Sequence, residues 1–341
     1  MHMMKRTILT LFSAAILLAA AFGQAPPAGR KIATLGPDES IVTNESVLLA
    51  GGAAGCLADD FFLVTSLYKS GKTTYFTYDK SGRKGPLAKI TESMLKQGLA
   101  DVEPRHFYLE NETSPEGLEE VPDPANRRQH FIQFGGKKAG PFLQALTASV
   151  APDKSRAFVA GVRDKALRFA STDGRDVAAV GMPQHLAMSR DGSKAVLVCQ
   201  GSLTMYDGLD LKPESLDMTQ FENTTLFTLD GKKFGPFKKS DDFGEAWFLA
   251  ESPDWLFTVG KIAYFNGTPL KPFAERISKS HFWIDDAAHY AWLENEQLKF
   301  NDGAVFPNPV MLKWEKKGGK TTLCWISILP NRDVVSYSRA L

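Results

Sequence analysis

A repeated pattern of short apolar runs and tight turns limits what this chain can fold into. The pattern is clearest in residues 186–208, where the apolar run 195–198 stands between Asp191-Gly192 and Asp207-Gly208. The run is too short for a helix, and Asp-Gly pairs accept the positive φ angles of hairpin turns. The stretch therefore predicts an antiparallel β meander.

The same unit returns along much of the chain. Residues 149–161 align with 187–199 without a gap, which places Asp153 on Asp191. A single unit of this kind leaves apolar side chains exposed on both faces, so several must pack together. Shorter copies occupy residues 251–267, 284–303 and 329–337.

A second pattern consists of an aromatic strand, a polar turn with glycine, and Gly-Pro before an apolar residue. Because proline cannot donate to a sheet ladder, each Gly-Pro is expected to end a strand or to lie at a sheet edge. Asp230-Gly231 and Asn266-Gly267 are expected to close two-residue turns. Copies of this pattern occupy residues 73–87, 131–142 and 227–237, with a looser one at 265–273.

The order of these features resembles the WD40-like repeat of TolB-like bacterial β-propellers. Ser252-Pro253-Asp254 supplies the turn of that repeat, and the apolar strand, the Asn-Gly hairpin and Gly-Pro-aromatic follow elsewhere in the chain. The resemblance covers most of residues 31–341 and implies an all-β fold, a single β-propeller of four-stranded antiparallel blades. The Gly-Pro spacing gives blades of roughly 36 to 55 residues, which favours seven blades over six. Propellers host many activities, so the resemblance transfers no catalytic residue.

The N-terminus has the pattern of an export signal. Lys5 and Arg6 precede an apolar run, and Gly23-Gln24-Ala25 matches a cleavage site. We therefore expect a signal peptide over residues 1–25, cleaved near Ala25, and a periplasmic or secreted protein. The propeller domain would then occupy residues 26–341, with an irregular acidic insertion at about 91–126. No later segment approaches the roughly 20 apolar residues of a membrane span.

Charge and cysteine content limit the partners. The chain has 40 basic and 39 acidic side chains and a formal net charge of +1, which gives no overall attraction to nucleic acid or acidic membranes. Its three cysteines, Cys56, Cys199 and Cys324, cannot all pair within the chain. Both small buried apolar side chains and a Cys56–Cys324 bridge are compatible with this count.

The best candidate for a metal site is His281, Asp285 and His289, since imidazole and carboxylate are the ligands that divalent ions take. The repeat alignment, however, makes this region strand, turn and strand, so that Asp286 would hold a turn and His289 would be a surface residue. Three aspartate pairs could bind calcium or simply cap turns. These pairs are residues 59–60, 241–242 and 285–286.

The function expected from these features is binding, without catalysis. The chain has no Gly-x-Ser-x-Gly elbow, P-loop or dinucleotide fingerprint. His106, His130 and His185 stand alone and are expected to be structural or exposed. We predict an exported protein-interaction or ligand-binding module of the bacterial cell envelope, with a protein partner favoured and a glycan or small ligand possible. The alternative is a propeller enzyme, a hydrolase or lyase acting on a sugar or ester-like substrate in the central funnel.

Overall fold

A computed structural model describes residues 29–41, 63–79, 82–87, 89, 107–109, 115–201, 222–307 and 309–341. The predicted signal peptide, the Asp207-Gly208 turn, Cys56, the 59–60 aspartate pair and His106 lie outside these ranges. The described residues form β strands with two short 3-10 turns, Lys239–Asp241 and Lys279–His281. None of the helices in this part is long and apolar enough to cross a membrane.

Twenty-seven strands follow one another along the described parts of the chain. In the N-terminal half they are β1 (Arg30–Thr34), β2 (Glu39–Ile41), β3 (Leu63–Lys69), β4 (Lys72–Asp79), β5 (Gly82–Leu87), β6 (Glu119–Pro122), β7 (His130–Phe134), β8 (Lys137–Phe142), β9 (Gln144–Val150), β10 (Ala157–Arg163), β11 (Ala166–Ser171), β12 (Asp176–Ala179) and β13 (Met182–Met188). In the C-terminal half they are β14 (Ala195–Gln200), β15 (Asn223–Thr228), β16 (Lys233–Lys238), β17 (Phe243–Phe248), β18 (Trp255–Val259), β19 (Ile262–Phe265), β20 (Thr268–Pro269), β21 (Phe282–Asp286), β22 (His289–Glu294), β23 (Gln297–Phe300), β24 (Val305–Pro307), β25 (Pro309–Lys317), β26 (Lys320–Ile328) and β27 (Asp333–Ala340).

These strands form seven antiparallel sheets in two compact units. The first unit, Met1–Arg105 with Ser280–Leu341, holds the four-stranded sheets β2-β3-β4-β5, β21-β22-β23-β24 and β1-β27-β26-β25. The second unit, His106–Lys279, holds β9 to β12, β13 to β16 and β17 to β20, each four-stranded, and the three-stranded sheet β6-β7-β8. The chain is thus all-β, as predicted, and its sheets are sequential meanders except where β1 joins the three C-terminal strands.

The last part of the stretch at about 91–126, which the sequence predicts to be an irregular insertion, contains a regular strand. Glu119–Pro122 is strand β6, which pairs with β7 in regular antiparallel register. The mixture of acidic residues and prolines concealed a short edge strand, because alternate side chains of such a strand face solvent. Residues 91–106 and 110–114 lie outside the described ranges.

The hairpin turns follow the prediction in one case and differ in another. Asn266 and Gly267, with φ angles of 50° and 85°, close a two-residue turn between the paired residues Phe265 and Thr268, which confirms the prediction. At Asp230-Gly231 the prediction of a two-residue turn is wrong. The Thr228 N–H donates to the Lys232 carbonyl, so the loop has three residues and Gly231 occupies its left-handed position at φ 84°.

The Gly-Pro pairs lie in edge strands, as predicted. Gly85, Gly140 and Gly235 have positive φ angles and stand in β5, β8 and β16, the last strands of their sheets. Opposite each pair the register of the neighbouring strand shifts by a bulge. The peptide bonds before Pro86, Pro141 and Pro236 are cis.

Consecutive sheets of the second unit pack face to face. Phe158 and Phe169 of the β9 to β12 sheet share a core with Leu186 and Leu197 of the next sheet. The opposite face of that next sheet packs on aromatic side chains of the β17 to β20 sheet, where the Phe257 ring stacks on Tyr264 at 4.5 Å. Burial on both faces explains why strands such as β10 and β14 are apolar throughout rather than alternating.

A buried carboxylate organises one sheet of the first unit. Glu39 is 3% exposed and accepts hydrogen bonds from Tyr78 Oη at 2.7 Å, Gly36 N at 3.1 Å and Thr65 Oγ1. Arg83 lies 3.2 Å from its second oxygen. Burial alone would raise the pKa of Glu39, but these hydrogen bonds and the Arg83 charge outweigh it and hold the pKa below its ordinary value. The same surroundings raise the pKa of Tyr78 to about 12.

Two of the cysteines can be placed. Cys199 is a free, fully buried thiol in β14, which agrees with a small apolar role, and burial raises its pKa to about 12. Cys324 in β26 is also buried, and it is disulfide-bonded. A role as a free apolar side chain is therefore wrong for Cys324.

Candidate functional site

The first strands of three consecutive sheets lie side by side in the second unit. Strand β13 contacts β9 on one side and β17 on the other. Near their N-terminal ends these strands carry exposed polar side chains, Gln144, Gln184 and Glu245. The later residues of β13 and β17 are buried in the sheet-to-sheet cores. The polar positions are thus concentrated at one end of the three strands.

A cavity of about 260 Å³ opens at this end. It lies between the sheets that begin with β13 and β17, and the ends of β14 and β15 complete its wall. Its volume is slightly below the roughly 300–1,000 Å³ of pockets for drug-sized ligands, so it suits a small ligand. The cavity is lined by Gln184, His185, Val198, Gln200, Thr224, Phe243, Gly244, Glu245 and Ala246.

Among the titratable residues that line the cavity, His185 is the best candidate for binding a ligand. Its Nε2 atom is buried and has no hydrogen-bond partner among the residues that the structure describes. Buried polar atoms are nearly always paired with protein or water, so an unpaired one beside a cavity marks a position that a ligand atom can complete. Burial lowers the pKa of His185, which keeps the imidazole neutral at physiological pH.

Two opposite charges act on the imidazole. The Glu245 carboxylate favours the protonated ring, whereas the Lys279 ammonium favours the neutral one. Both groups are themselves held in place: Trp247 Nε1 donates to Glu245 Oε2 at 2.8 Å, and Lys279 Nζ donates to the Leu109 carbonyl at 3.1 Å. The cavity wall therefore carries a neutral imidazole and an anchored anion, and an anchored cation outside the wall acts on the imidazole.

Gly244 shapes the cavity wall. A Cβ atom at this position would lie 2.1 Å from Thr258 Oγ1 and 3.2 Å from Arg276 Nη2. Any larger residue at this position would therefore require the Thr258 side chain to move. Thr258 Oγ1 is a second buried polar atom without a hydrogen-bond partner in the described part of the chain.

Chemically, this arrangement is suited to a ligand with both donors and acceptors. A neutral imidazole offers one donor and one acceptor, the glutamines offer both, and Glu245 accepts. The partly buried ring of Phe243 adds an apolar face. A small polar molecule with one less polar face matches these groups.

Two of the three predicted metal ligands, Asp285 and His289, have other partners. Asp285 accepts hydrogen bonds from Thr321 N at 2.6 Å and Thr321 Oγ1 at 2.5 Å, and it pairs with Lys316 at 3.2 Å. His289 Nδ1 lies 2.9 Å from the Asp286 carboxylate at an exposed turn. His281 is exposed in the second 3-10 turn.

In the part of the chain that the structure describes, no three His, Cys, Asp or Glu side chains form a group that could hold a metal ion. His281, Asp285 and His289 are thus not brought together, and a metal site there stays a prediction. The competing interpretation is confirmed in its details. Asp286 holds the turn by accepting from Ala288 N at 2.7 Å, and His289 lies on the surface.

The second aspartate pair is also used locally. Asp241 accepts from Lys238 N at 2.8 Å and so caps the first 3-10 turn. Asp242 pairs with Arg276 at 3.0 Å. These contacts are those of turn-capping and surface carboxylates.

Sequence reasoning missed the cavity because His185 stands alone in the chain. The prediction that it is structural or exposed does not describe a half-buried ring with an unpaired nitrogen. One local signal was available: Gln184 and His185 are adjacent hydrophilic residues in a strand whose remaining positions are mainly apolar. Its charged neighbours Glu245 and Lys279 are far away in sequence, and only the packing of β17 beside β13 reveals them.

No protein-family model matches this chain, and no curated protein matches it. Solved structures match at low similarity. TolB from Acinetobacter baumannii is 13% identical with a TM-score of 0.24, and the match covers 93% of this chain and 97% of TolB.

Two further matches are similarly distant. The β-propeller domain of the Trilobed protease from Pyrococcus furiosus is 11% identical with a TM-score of 0.24, over 82% of this chain and 93% of that domain. Dihydro-heme d1 dehydrogenase NirN is 12% identical with a TM-score of 0.27, over 70% of this chain and 61% of NirN. This chain therefore spans about three fifths of NirN. At such TM-scores the matches assign neither a family nor an activity.

Proposed function

We propose that this chain is an exported β-propeller that works as a ligand-binding module in the bacterial cell envelope, with a small polar ligand bound in the His185 cavity. The observation that carries the proposal is that His185, whose buried Nε2 atom has no hydrogen-bond partner in the described part of the chain, lines a cavity of about 260 Å³. Seven antiparallel sheets, one of which joins the N-terminal strand to the C-terminal strands, support seven blades. The pattern of residues 1–25 supports export.

The binding mode follows from the groups in the cavity wall. The neutral His185 ring and the Gln184 amide would donate to and accept from the ligand, and Glu245 would accept from a hydroxyl or amine. Because Trp247 and the backbone of β17 already position Glu245, binding would require little ordering of the protein. The ligand class that fits is a small polyhydroxylated or amino-bearing molecule.

A ligand screen by thermal shift tests this proposal. The mature chain, His185→Phe and Glu245→Gln would be scanned against sugars, polyols, amino acids and amines. A ligand at about 100 times its Kd stabilises the folded state by about 2.7 kcal/mol, which is several degrees in Tm. Glu245→Gln keeps an acceptor for Trp247 and removes only the charge, so it separates binding from folding.

The matched control is His130→Gln, since His130 is a half-buried histidine outside the cavity. We expect a hit to raise the Tm of the wild type and of this control, and to have little effect on His185→Phe. A hit that stabilises all four proteins equally would show that the ligand binds elsewhere. Failure of the whole library would remove the cavity as the functional site.

A protein partner would use the same module differently, through its surface. Chemical crosslinking of the tagged mature protein in its native envelope, followed by affinity capture and mass spectrometry, tests this form of the proposal. One partner recovered in near-equal amounts would establish an interaction module. Recovery of the protein alone would leave the cavity as the working site.

One observation favours the enzyme alternative as a second candidate. A neutral imidazole near a carboxylate is the group that general-base catalysis uses at neutral pH. If a screened ligand is also converted, and if conversion is lost in His185→Gln while binding persists, the chain is a propeller enzyme. Binding without conversion by the wild type would exclude that activity for the ligand concerned.

A further inference from the structure

A second cavity lies at the opposite end of the β13 to β16 sheet. It has a volume of about 190 Å³ and is formed where β14 begins and where β15 turns into β16, with a wall from the β17 to β20 sheet. It belongs entirely to the second unit and shares no lining residue with the His185 cavity. The residues that matter for its chemistry are Arg175, Lys194, Asp230, Lys232, Phe234 and Trp255.

The charge of this wall is mainly positive, since three cationic side chains line the cavity with one carboxylate. Lys194 lies 4.0 Å from Asp254 Oδ1, the outer limit of an ion pair. That carboxylate already accepts hydrogen bonds from Asn266 Nδ2 at 2.8 Å and from Ser252 Oγ at 2.9 Å. The Lys194 ammonium is therefore only weakly held and can turn towards a bound anion.

The Lys232 ammonium is also weakly held and can turn towards a bound anion. It pairs with Asp230 at 3.0 Å, but both side chains are more than half exposed. Exposed pairs of this kind contribute little because water screens them. A ligand with a higher charge density than one carboxylate can compete for the ammonium group.

Arg175 supplies the fixed part of the wall. Its Nη1 donates to the Ser193 carbonyl at 2.8 Å, and its Nη2 lies 2.9 Å from Asp173. Arg156 pairs with the same Asp173 carboxylate. Two guanidinium groups thus share one anion, which leaves excess positive charge beside the cavity.

The floor is apolar. Trp255 is 4% exposed, and Phe234 packs against it edge to face with ring centroids 5.5 Å apart. These rings line the same cavity as the three cationic side chains. They also give an organic ligand a surface on which to rest.

We propose that this cavity is a second ligand site, which takes a compact dianionic oxyanion and, above all, the phosphate group of a small molecule. The two mobile ammonium groups and the fixed guanidinium suit three phosphate oxygens. The volume excludes a large ligand, and the Phe234 and Trp255 floor favours a phosphate ester with an apolar substituent over the free ion.

Isothermal titration at pH 7.5 tests this site with three probes: sodium phosphate, phenyl phosphate and sodium chloride at matched ionic strength. We expect phosphate to bind, phenyl phosphate to bind more tightly, and chloride to give no saturable heat. Lys194→Gln and Lys232→Gln should each weaken phosphate about tenfold, since each removes one charge-assisted hydrogen bond. Both lysines are exposed, so the variants should fold, which circular dichroism checks.

Lys233→Gln is the matched control, because Lys233 is the adjacent exposed lysine and does not line the cavity. It should bind phosphate like the wild type. Equal weakening by Lys233→Gln would mean that phosphate responds only to overall charge, and absence of saturable binding of both phosphate probes would overturn the proposal. Neither result affects the His185 cavity, which a different ligand library and different variants test.

Discussion

Replacing Glu39 by glutamine should destabilise the fold by an amount that the structure allows us to work out. Each Glu39 oxygen accepts from two groups: one from Thr65 and Tyr78, the other from the Gly36 N–H and Arg83. A glutamine has a single acceptor oxygen, so two of these donors lose their partner inside a buried site. Hydrogen bonds to a charged group are each worth about 1.5–3 kcal/mol. Relief of the charge-burial cost offsets part of this loss, and we expect a net destabilisation of about 3 kcal/mol.

The stability lost in Glu39→Gln should depend on pH, which a loss caused by altered packing would not. Because the pKa of Glu39 is lowered in the folded state, its carboxylate contributes stability above the unfolded pKa of about 4.5. That contribution is lost as the pH falls through the folded-state pKa. The stability difference between wild type and Glu39→Gln should therefore be constant near neutrality and shrink in acid below about pH 4.5.

Urea unfolding followed by circular dichroism at pH 7 and at several acidic pH values measures both quantities. Glu251→Gln is the matched control, since Glu251 is exposed and its replacement should change stability by less than about 0.5 kcal/mol. The reasoning is refuted if Glu39→Gln is as stable as the wild type at pH 7. It is equally refuted if the difference persists unchanged in acid.

Three other predictions concern turns, an ion pair and a thiol. Gly231→Val should lower the free energy of unfolding by about 1–2 kcal/mol, because its φ angle of 84° strains a residue with a side chain even though no atom lies close by. Gly267→Val should lower it further, because its Cβ would also lie 2.1 Å from Phe234. Equal melting temperatures for the two variants would contradict this expectation. Asp285→Asn should lower the free energy of unfolding by about 2–4 kcal/mol, because it removes the charge that pairs with Lys316 and weakens the hydrogen bonds from Thr321, both at a largely buried position; an unchanged urea midpoint would show that these contacts contribute nothing. Burial raises the pKa of the Cys199 thiol to about 12, so Cys199 should resist alkylation at pH 8 in the folded protein and react when the protein is unfolded in urea. Fast labelling of the native protein would show that β14 opens readily.

The repeat pattern predicts the fold well where local chemistry decides it. Apolar runs such as 195–198 become strands because they are too short for helices and are buried on both faces. Asn266-Gly267 closes its predicted turn because both residues tolerate positive φ. The acidic stretch around β6 misleads because an edge strand need not be apolar.

The sites are harder to predict because their parts are distant in the chain. His185, Glu245 and Lys279 belong to different elements, and nothing in their spacing brings them together. Conversely, His281, Asp285 and His289 are close in sequence, yet Asp285 contacts Thr321 and His289 contacts Asp286. Whether neighbouring residues can bind one metal ion depends on the directions of their side chains, and sequence spacing alone does not give these directions.

The pairing of β1 with β27 has a consequence for how the protein acquires its structure. Arg30 is in register with Ser336, and Thr34 Oγ1 is hydrogen-bonded to Asp333 across 299 positions of the chain. The entropic cost of closing so long a loop must be met before this contact can contribute favourable free energy. During synthesis or translocation, β1 stays unpaired until β27 has left the ribosome or the translocation channel. Completion of this sheet is therefore a late, slow event, and it is the step at which a folding chain is most exposed to proteolysis and aggregation.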